Sequence, residues 1–437
     1  MLILCDVITN RIKYAVKLML SDVDAEVGFT ISVDEYMQHS GPKMVYSKRE
    51  TFEEGHIYLH SLGILESSDY ARLKVDWSEW RGLPVIFPRR LGNFPFDVFA
   101  AGFFLLTRYE EYWRFTGDKM GRYEPQSSVL DQRHILETPI VDSWRIEFAN
   151  FLIERFPELK RKPLSFSFLS TIDIDSAYAY LHKGFTRTVG GAVKDVLTFK
   201  FKNLSSRFKT LSRSKADLYD TYDYIEQAHL KYGADSMYFF LLADFGEFDK
   251  GLPFTSPGFQ QLIKRISKKH KVGIHPGVAS YIRHSQMLEE KTRLENITAK
   301  PIYHSRQHYL MVKFRTTYRM LKATGIEHDY SLGYASKPGF RAGTCRPFVW
   351  FDLKKNEESS LTLHPFAYMD ATLNYYLHLS VEEAKAKVDE LMKTVHAHGG
   401  EFISIWHNET LINQGAWQDW REVFEYTLQQ GSEYSKS

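Results

Sequence analysis

A chain of 437 residues is long enough for two domains, each with its own core, and 43% apolar with 25% charged residues at net charge +2 describes an ordinary globular protein. That composition excludes a disordered or fibrous chain; its near-neutral balance argues neither for nor against a polyanionic partner, and no nucleic-acid partner is expected. Cys5 and Cys345 are the only cysteines, too far apart in sequence to imply a disulfide framework, and a reducing, cytoplasmic location is expected.

The N-terminus, Met1-Leu2-Ile3-Leu4-Cys5-Asp6, has no basic leader and meets an acid at once, so it reads as a first strand. The longest apolar run, near Phe99–Leu106, is far short of the ~18 residues that span a bilayer, and a soluble protein is expected. Short strand-like runs and an amphipathic helix near Arg11–Leu20 fill the first 85 or so residues. From Asp97, a predicted N-cap, a buried helix runs to a polar end at Arg108-Tyr109-Glu110-Glu111-Tyr112. The adjacent acids are expected to pair with a nearby arginine such as Arg108 or Arg114. A turn-rich stretch from Thr116 to Ser128 and a helix near Trp144–Phe156 close this half. The charged, proline-ended segment Glu158–Pro163 is the expected boundary, dividing an N-terminal α/β domain, 1–160, from a second domain, 161–437.

The second half alternates strands and helices, the pattern of an α/β domain with a largely parallel sheet. Leu164–Leu169 alternates polar and apolar residues and leads into Ser170-Thr171-Ile172-Asp173-Ile174-Asp175-Ser176. Side chains at i and i+2 leave a strand on one side, so Asp173 and Asp175 converge, and converging carboxylates need a cation or a shared proton between them. Helices are expected at Asp217–Tyr232, Gly258–Lys268, Met287–Asn296 and Tyr309–Thr324. Strands fall between them at Met237–Leu242, Lys271–Ile274 and Pro301–Ser305. A strand at Leu361–Leu363, a helix opened by a Ser380/Glu383 capping box and stopped at Gly399-Gly400, and a strand at Phe402–Trp406 complete the tail. About seven βα units in series predict a barrel-like closure. Residues 183–215 break the rhythm, with nine Lys/Arg against the single acid Asp195 and apolar residues such as Val196, Leu197 and Phe199 between them. Such a basic insertion is either a solvated loop, a guide for an anionic glycan, or a peripheral contact with an anionic membrane.

In barrels the loops after parallel strands converge on one face. The strand ends here supply Asp173 and Asp175, then His275, Arg306 and His308, Arg341, His364 and His407. Asp with two imidazoles and an open position is how a catalytic divalent ion, zinc above all, is held.

The series Thr171-Ile172-Asp173-Ile174-Asp175, Gly273-Ile274-His275-Pro276, Gly339-Phe340-Arg341-Ala342-Gly343-Thr344 and Ile405-Trp406-His407-Asn408 resembles the motif series of the polysaccharide deacetylases, the NodB-homology or carbohydrate esterase family 4 fold. It is similar above all to the Bacteroidetes-type subgroup with an extra N-terminal domain, which the stretch Phe96–Ser128 resembles. The resemblance implies a deformed (β/α)7-type barrel preceded by a smaller α/β domain, and a hydrolase that removes N-acetyl or O-acetyl groups from a carbohydrate or acetylated amino sugar. It implies Asp173 as catalytic base, Asp175 and His275 as metal ligands, Arg341 as the arginine that orients the base, and His407 as the acid. Where the family motif has a second histidine four residues on, this chain has Ala279 followed by Ser280, and His308 is the expected replacement ligand, with His304 second. The competing expectations are a member of the same fold that binds a glycan or partner protein without catalysis, and a metal-independent glycoside hydrolase using the two aspartates.

Overall fold

The computed structural model describes residues 1–49 and 55–436. Its largest element is a nine-stranded sheet, ordered Phe348–Asp352, Glu357–Pro365, His328–Leu332, His304–Ser305, Lys271–Ile274, Ser236–Phe240, Ser167–Ile174, Glu401–His407 and Tyr368–Met369. All neighbours are parallel except the first pair, which forms an antiparallel hairpin. The sheet curls back on itself because one piece of chain serves both sides. Residues 357–365 pair with His328–Leu332, Ala367 N donates to Ile403 O at 2.8 Å, and Tyr368–Met369 pairs with Glu401–His407. The result is a mixed α/β, barrel-like domain.

Period-two alternation decides what lies inside the curl. Met237, Phe239, Ile403 and Ile405 form an inner apolar cluster with Tyr330 and Phe366, against which Leu169 packs. Tyr238, Phe240, Phe402 and Trp406 face outward into the main core under the helices. Continued to the strand ends, the inward series Leu169, Thr171, Asp173 and Ile403, Ile405, His407 bring the last residue of each to the same rim, in direct register. Gly273 belongs to this lining, since a Cβ there would lie 2.6 Å from the Phe239 ring.

The N-terminal part carries a four-stranded parallel sheet, Gly28–Thr30, Leu2–Cys5, Lys43–Ser47 and Ile57–His60. The helix Val98–Leu106 is buried at all nine residues, as a helix apolar on every side must be. Asp97 caps it, accepting from Ala100 N at 2.9 Å. It ends earlier than its sequence predicts: Arg108 turns left-handed at φ 50°, and Tyr109–Tyr112 forms a separate 3-10 turn. One apolar cluster runs from Ile3 to Leu428 through both parts of the chain, with Phe103 packed on Tyr14 and on Phe351 of the antiparallel hairpin. At the expected boundary, Lys160–Arg161 pairs antiparallel with Val23–Asp24. Other departures are local. The helix predicted over Tyr309–Thr324 is confined to Thr317–Ala323, since Tyr309 and Leu310 take positive φ, and the strand predicted at Pro301–Ser305 keeps only its last two residues. Residues 185–197 and 201–211, within the basic insertion, are helices.

A buried ionic network ties the parts together. Arg108 donates to Glu110 at 2.7 Å and to Glu111 at 2.8 Å, and Arg341 grips Glu111 through Nε at 2.9 Å and Nη2 at 2.5 Å. The adjacent acids are thus paired with Arg108, as their spacing predicts. Burial would raise the Glu111 pKa, yet the two guanidinium groups hold it below the usual carboxylate range. A depressed carboxylate contributes stability that is present above its unfolded pKa, near 4.3, and lost as pH falls toward its folded value. Arg341→Met removes half of Glu111's partners, so urea unfolding should show a loss of about 3 kcal/mol at neutral pH and a shallower decline below about pH 4. Wild-type stability and slope in this variant would show that the network holds nothing.

Candidate metal and acid–base site

Asp175, His275 and His308 each offer one atom to a common point, and those atoms lie within 4.8 Å of one another. His275 follows the strand Lys271–Ile274, and His308 follows His304–Ser305, so both stand on the rim that carries Asp173 and His407. His275 Nε2 is 3.1 Å from Asp175 Oδ1, and His308 Nε2 is 3.3 Å from Asp175 Oδ2. Both rings have their other nitrogen committed. His275 Nδ1 donates to Arg306 O at 2.6 Å, and His308 Nδ1 donates to Asp249 Oδ1 at 2.8 Å. With those protons fixed, the neutral rings aim Nε2 lone pairs at a carboxylate, an arrangement of acceptors that repel unless a proton or a cation lies among them. Asp175 Oδ1 is a buried oxygen without a hydrogen-bond donor among the described residues. A tetrahedral ion about 2.0–2.1 Å from each donor would set them about 3.3 Å apart, close to the two separations seen. The donor set therefore fits a divalent ion.

The electrostatics agree. Burial works against charge on both groups, but His308 and His275 hold Asp175 well below the carboxylate range, while Asp175 and Asp249 lift His308 to about 9. Each group demands a positive charge at this point.

Two acid–base groups flank the triad. Asp173 is buried, with Arg306 Nη1 donating to its Oδ1 at 2.9 Å and also to Thr171 Oγ1 at 2.6 Å, while Arg306 Nε donates to Tyr330 O at 3.0 Å. Its Oδ2 lies 3.9 Å from His275 Nε2. Across the rim, His407 Nδ1 meets Asp370 Oδ1 at 3.0 Å, and Asp370 Oδ2 accepts from His407 N at 2.8 Å and from Thr410 Oγ1 at 2.5 Å. Burial lowers the His407 pKa, but the buried Asp370 overrides it and raises the ring well above its ordinary value. His407 Nε2 stands 3.9 Å from Asp175 Oδ2.

These groups open on a cavity of 420 Å³, which they share with Gln307, Glu409 and an aromatic wall of Tyr219, Tyr309, Tyr375, Tyr376 and Trp417. Tyr375 and Tyr376 belong to a single π-helical turn, Thr372–Tyr376, a distortion frequent at functional sites. Gln307 is buried, and its Nε2 has no hydrogen-bond partner among the described residues.

Of the residues expected from sequence, Asp173, Asp175, His275, His308 and His407 meet here. Arg341 does not. It is committed to Glu111, and Arg306, already at a strand end, is the arginine on Asp173, because position 306 points into the curl beside Thr171. His364 lies away from the rim, bonded to Glu401 at 2.7 Å and to His328 at 3.0 Å, and His304 stacks on His328. Asp249, Gln307 and Glu409 were not assigned roles by the sequence pattern, nor was Asp370 read as the partner of His407. Asp249 and Glu409 sit in loops with no periodic signal, and only Glu409's closeness to His407 could have drawn notice.

Zinc titrated calorimetrically into the metal-free protein should bind at a single site, with affinity severely reduced in Asp175→Asn, His275→Ala and His308→Ala. Asp249→Asn, which exchanges the charged acceptor of His308 Nδ1 and of Val278 N for a neutral amide, should weaken binding about 10- to 100-fold, while Arg341→Met leaves it intact. Undiminished affinity in His275→Ala would remove the triad from consideration.

Residues 1–157 match the model of a family of unknown function, DUF7033. No curated protein matches the chain. Among solved structures, a crystal structure of a Mycobacterium smegmatis protein assigned as a polysaccharide deacetylase is similar over 61% of this chain and 85% of that one, at 12% identity and a TM-score of 0.37.

Proposed function

We propose that this protein is a metal-dependent hydrolase that removes an acyl group, N-acetyl in the first place and O-acetyl in the second, from a carbohydrate. The observation that carries the reading is a single cavity in which a three-residue donor set stands between an anchored carboxylate and a partly buried histidine paired with a buried aspartate. A divalent ion held by Asp175, His275 and His308, zinc being the best match to this donor set, would supply Lewis acidity toward an acyl oxygen and lower the pKa of a coordinated water.

The chain's own groups supply the rest. Asp173 is fixed through Oδ1 by Arg306, which leaves Oδ2, on the His275 side, to accept a proton from water. His407, with Nδ1 committed to Asp370 and its proton affinity raised, presents Nε2 to the cavity as the donor for the leaving amine, a group too basic to depart unprotonated. The aromatic wall offers flat apolar faces with polar edges, which suits a sugar ring. A glycosidase built on the aspartate pair fits less well, because one of the two carboxylates, Asp175, already faces two imidazoles, one at each oxygen.

In an acetate-release screen of N- and O-acetylated saccharides, the zinc-loaded protein should be active. Asp173→Asn should lose about 10²- to 10⁴-fold in rate while still binding the ion. His407→Ala should lose most of its activity on amides and far less on a phenyl ester, whose leaving group departs without protonation. Ion binding without acetate release from any acylated saccharide would refute the assignment, and equal loss of zinc in Asp173→Asn and Asp175→Asn would make both ligands.

A further inference from the structure

The basic insertion folds as a helical hairpin built with its polar side inward. On Phe185–Leu197 the residues Arg187, Gly190, Gly191 and Lys194 recur on one helical face and line a second cavity, which meets the first at Asp175, Tyr219, His308, Tyr309 and Glu409. Arg187 donates to Gly251 O at 2.8 Å and Lys250 O at 3.0 Å, securing the helix to the body. The single acid, Asp195, is buried against Arg207 of the second helix at 2.9 Å, which locks the two helices together. The opposite face is apolar and uncovered. Phe185, Val189, Val193 and Val196 form a stripe on the first helix, and Phe201, Phe208 and Leu211 continue it on the second. Phe185 is 84% exposed, Phe199 at the turn 79% and Phe208 62%. Large apolar side chains left this open along both helices, with the Phe199 and Phe201 rings in contact at the turn, mark a surface that something else covers.

We infer that this hairpin docks on an anionic lipid surface, its apolar stripe set into the headgroup boundary and its lysines among the headgroups, with the candidate catalytic cavity held beside the membrane. Charge selects this occupant. Residues 183–215 hold nine Lys/Arg and one internally paired acid, whereas the whole chain is net +2, so the rest of the molecule is net acidic and the cations are concentrated at this one place. A second copy of the chain is disfavoured, because a two-fold interface would set this patch against itself. The polar inner face also leaves the apolar face no route to the protein's own core.

The inference stands apart from the proposed chemistry and is read without turnover. Co-sedimentation with vesicles of phosphatidylcholine alone, and of phosphatidylcholine with phosphatidylglycerol, should show binding to the anionic vesicles only, weakened by salt. The triple variant Phe185→Ser, Phe199→Ser, Phe201→Ser changes only exposed side chains, so it should keep the wild-type melting temperature and zinc affinity while binding vesicles at least about 100-fold more weakly. Phe199→Trp should move its emission to shorter wavelength on anionic vesicles, the signature of a ring entering an apolar layer. Failure to sediment with anionic vesicles, equal binding to neutral ones, or unaltered binding by the triple variant would each overturn the inference. So would a wild-type dimer that the triple variant dissociates, or retention on an acidic polypeptide without any affinity for lipid, which would assign the face to a second copy or to an acidic protein.

Discussion

The organisation of the rim follows from one electrostatic constraint: two imidazoles, each with Nδ1 already donating, turn their remaining nitrogens toward the same carboxylate. Acceptors do not gather in a buried place without a positive charge to share. The surrounding residues make sense as devices for keeping them there. Asp249 holds His308 and also accepts from Val278 N, and Glu290 pins the same loop through Gly277 N at 2.9 Å and Ser280 Oγ at 2.6 Å. Those bonds supply an anchor where a ligand on that turn would otherwise stand. His308 comes instead from the next strand, and its arrival takes a backbone distortion, with Tyr309 and Leu310 both at positive φ just beyond it.

Arg306 links the rim to the interior. Lying across the Phe239 ring at 4.6 Å and bonded to Thr171, Asp173 and the Tyr330 carbonyl, it spans the inside of the curl from the first strand of the domain to the fifth. A guanidinium suits this position because its fork satisfies several acceptors in one plane without losing its charge. The N-terminal part acts at longer range. Arg108 reaches the Arg341 carbonyl and the Tyr334 hydroxyl, so the left-handed turn at Arg108 clamps the loop 333–344 against the body through charge and not by apolar contact alone. Arg341 is thus part of the joint between the two parts of the chain.

Much of this was legible in the sequence because it rests on short-range patterns. The capping box at Ser380/Glu383, the Asp97 cap and the alternation before Asp173 are each written in a few adjacent residues, and each forms as read. The converging histidines were legible because parallel strands point their ends one way. What escaped was pairing between distant residues. Arg306 and Arg341 both follow strands and carry the same group, and nothing local reveals that one faces Thr171 while the other faces Glu111, 230 positions away. The partners Asp249 and Asp370 were hidden for the same reason: a buried carboxylate bonded to an imidazole looks, in sequence, like any loop acid.

The hairpin marks a further limit of pattern reading. Apolar residues at helical spacing within 185–211 establish two faces, and the ordinary inference is that the apolar one turns inward. Here the inward face is chosen by specific polar bonds, Arg187 to two backbone carbonyls and Asp195 to Arg207, while Gly190 and Gly191 keep that face shallow where it borders the second cavity. Reversing the helix would take Arg187 away from the Gly251 and Lys250 carbonyls and Arg207 away from Asp195, leaving those acceptors without their donors, a cost that covering a few aromatic rings would have to exceed. The outward apolar stripe is therefore a consequence of how the second cavity is built: the same residues that line its wall with cations leave Phe185, Val189 and Val193 no place in the protein's own core.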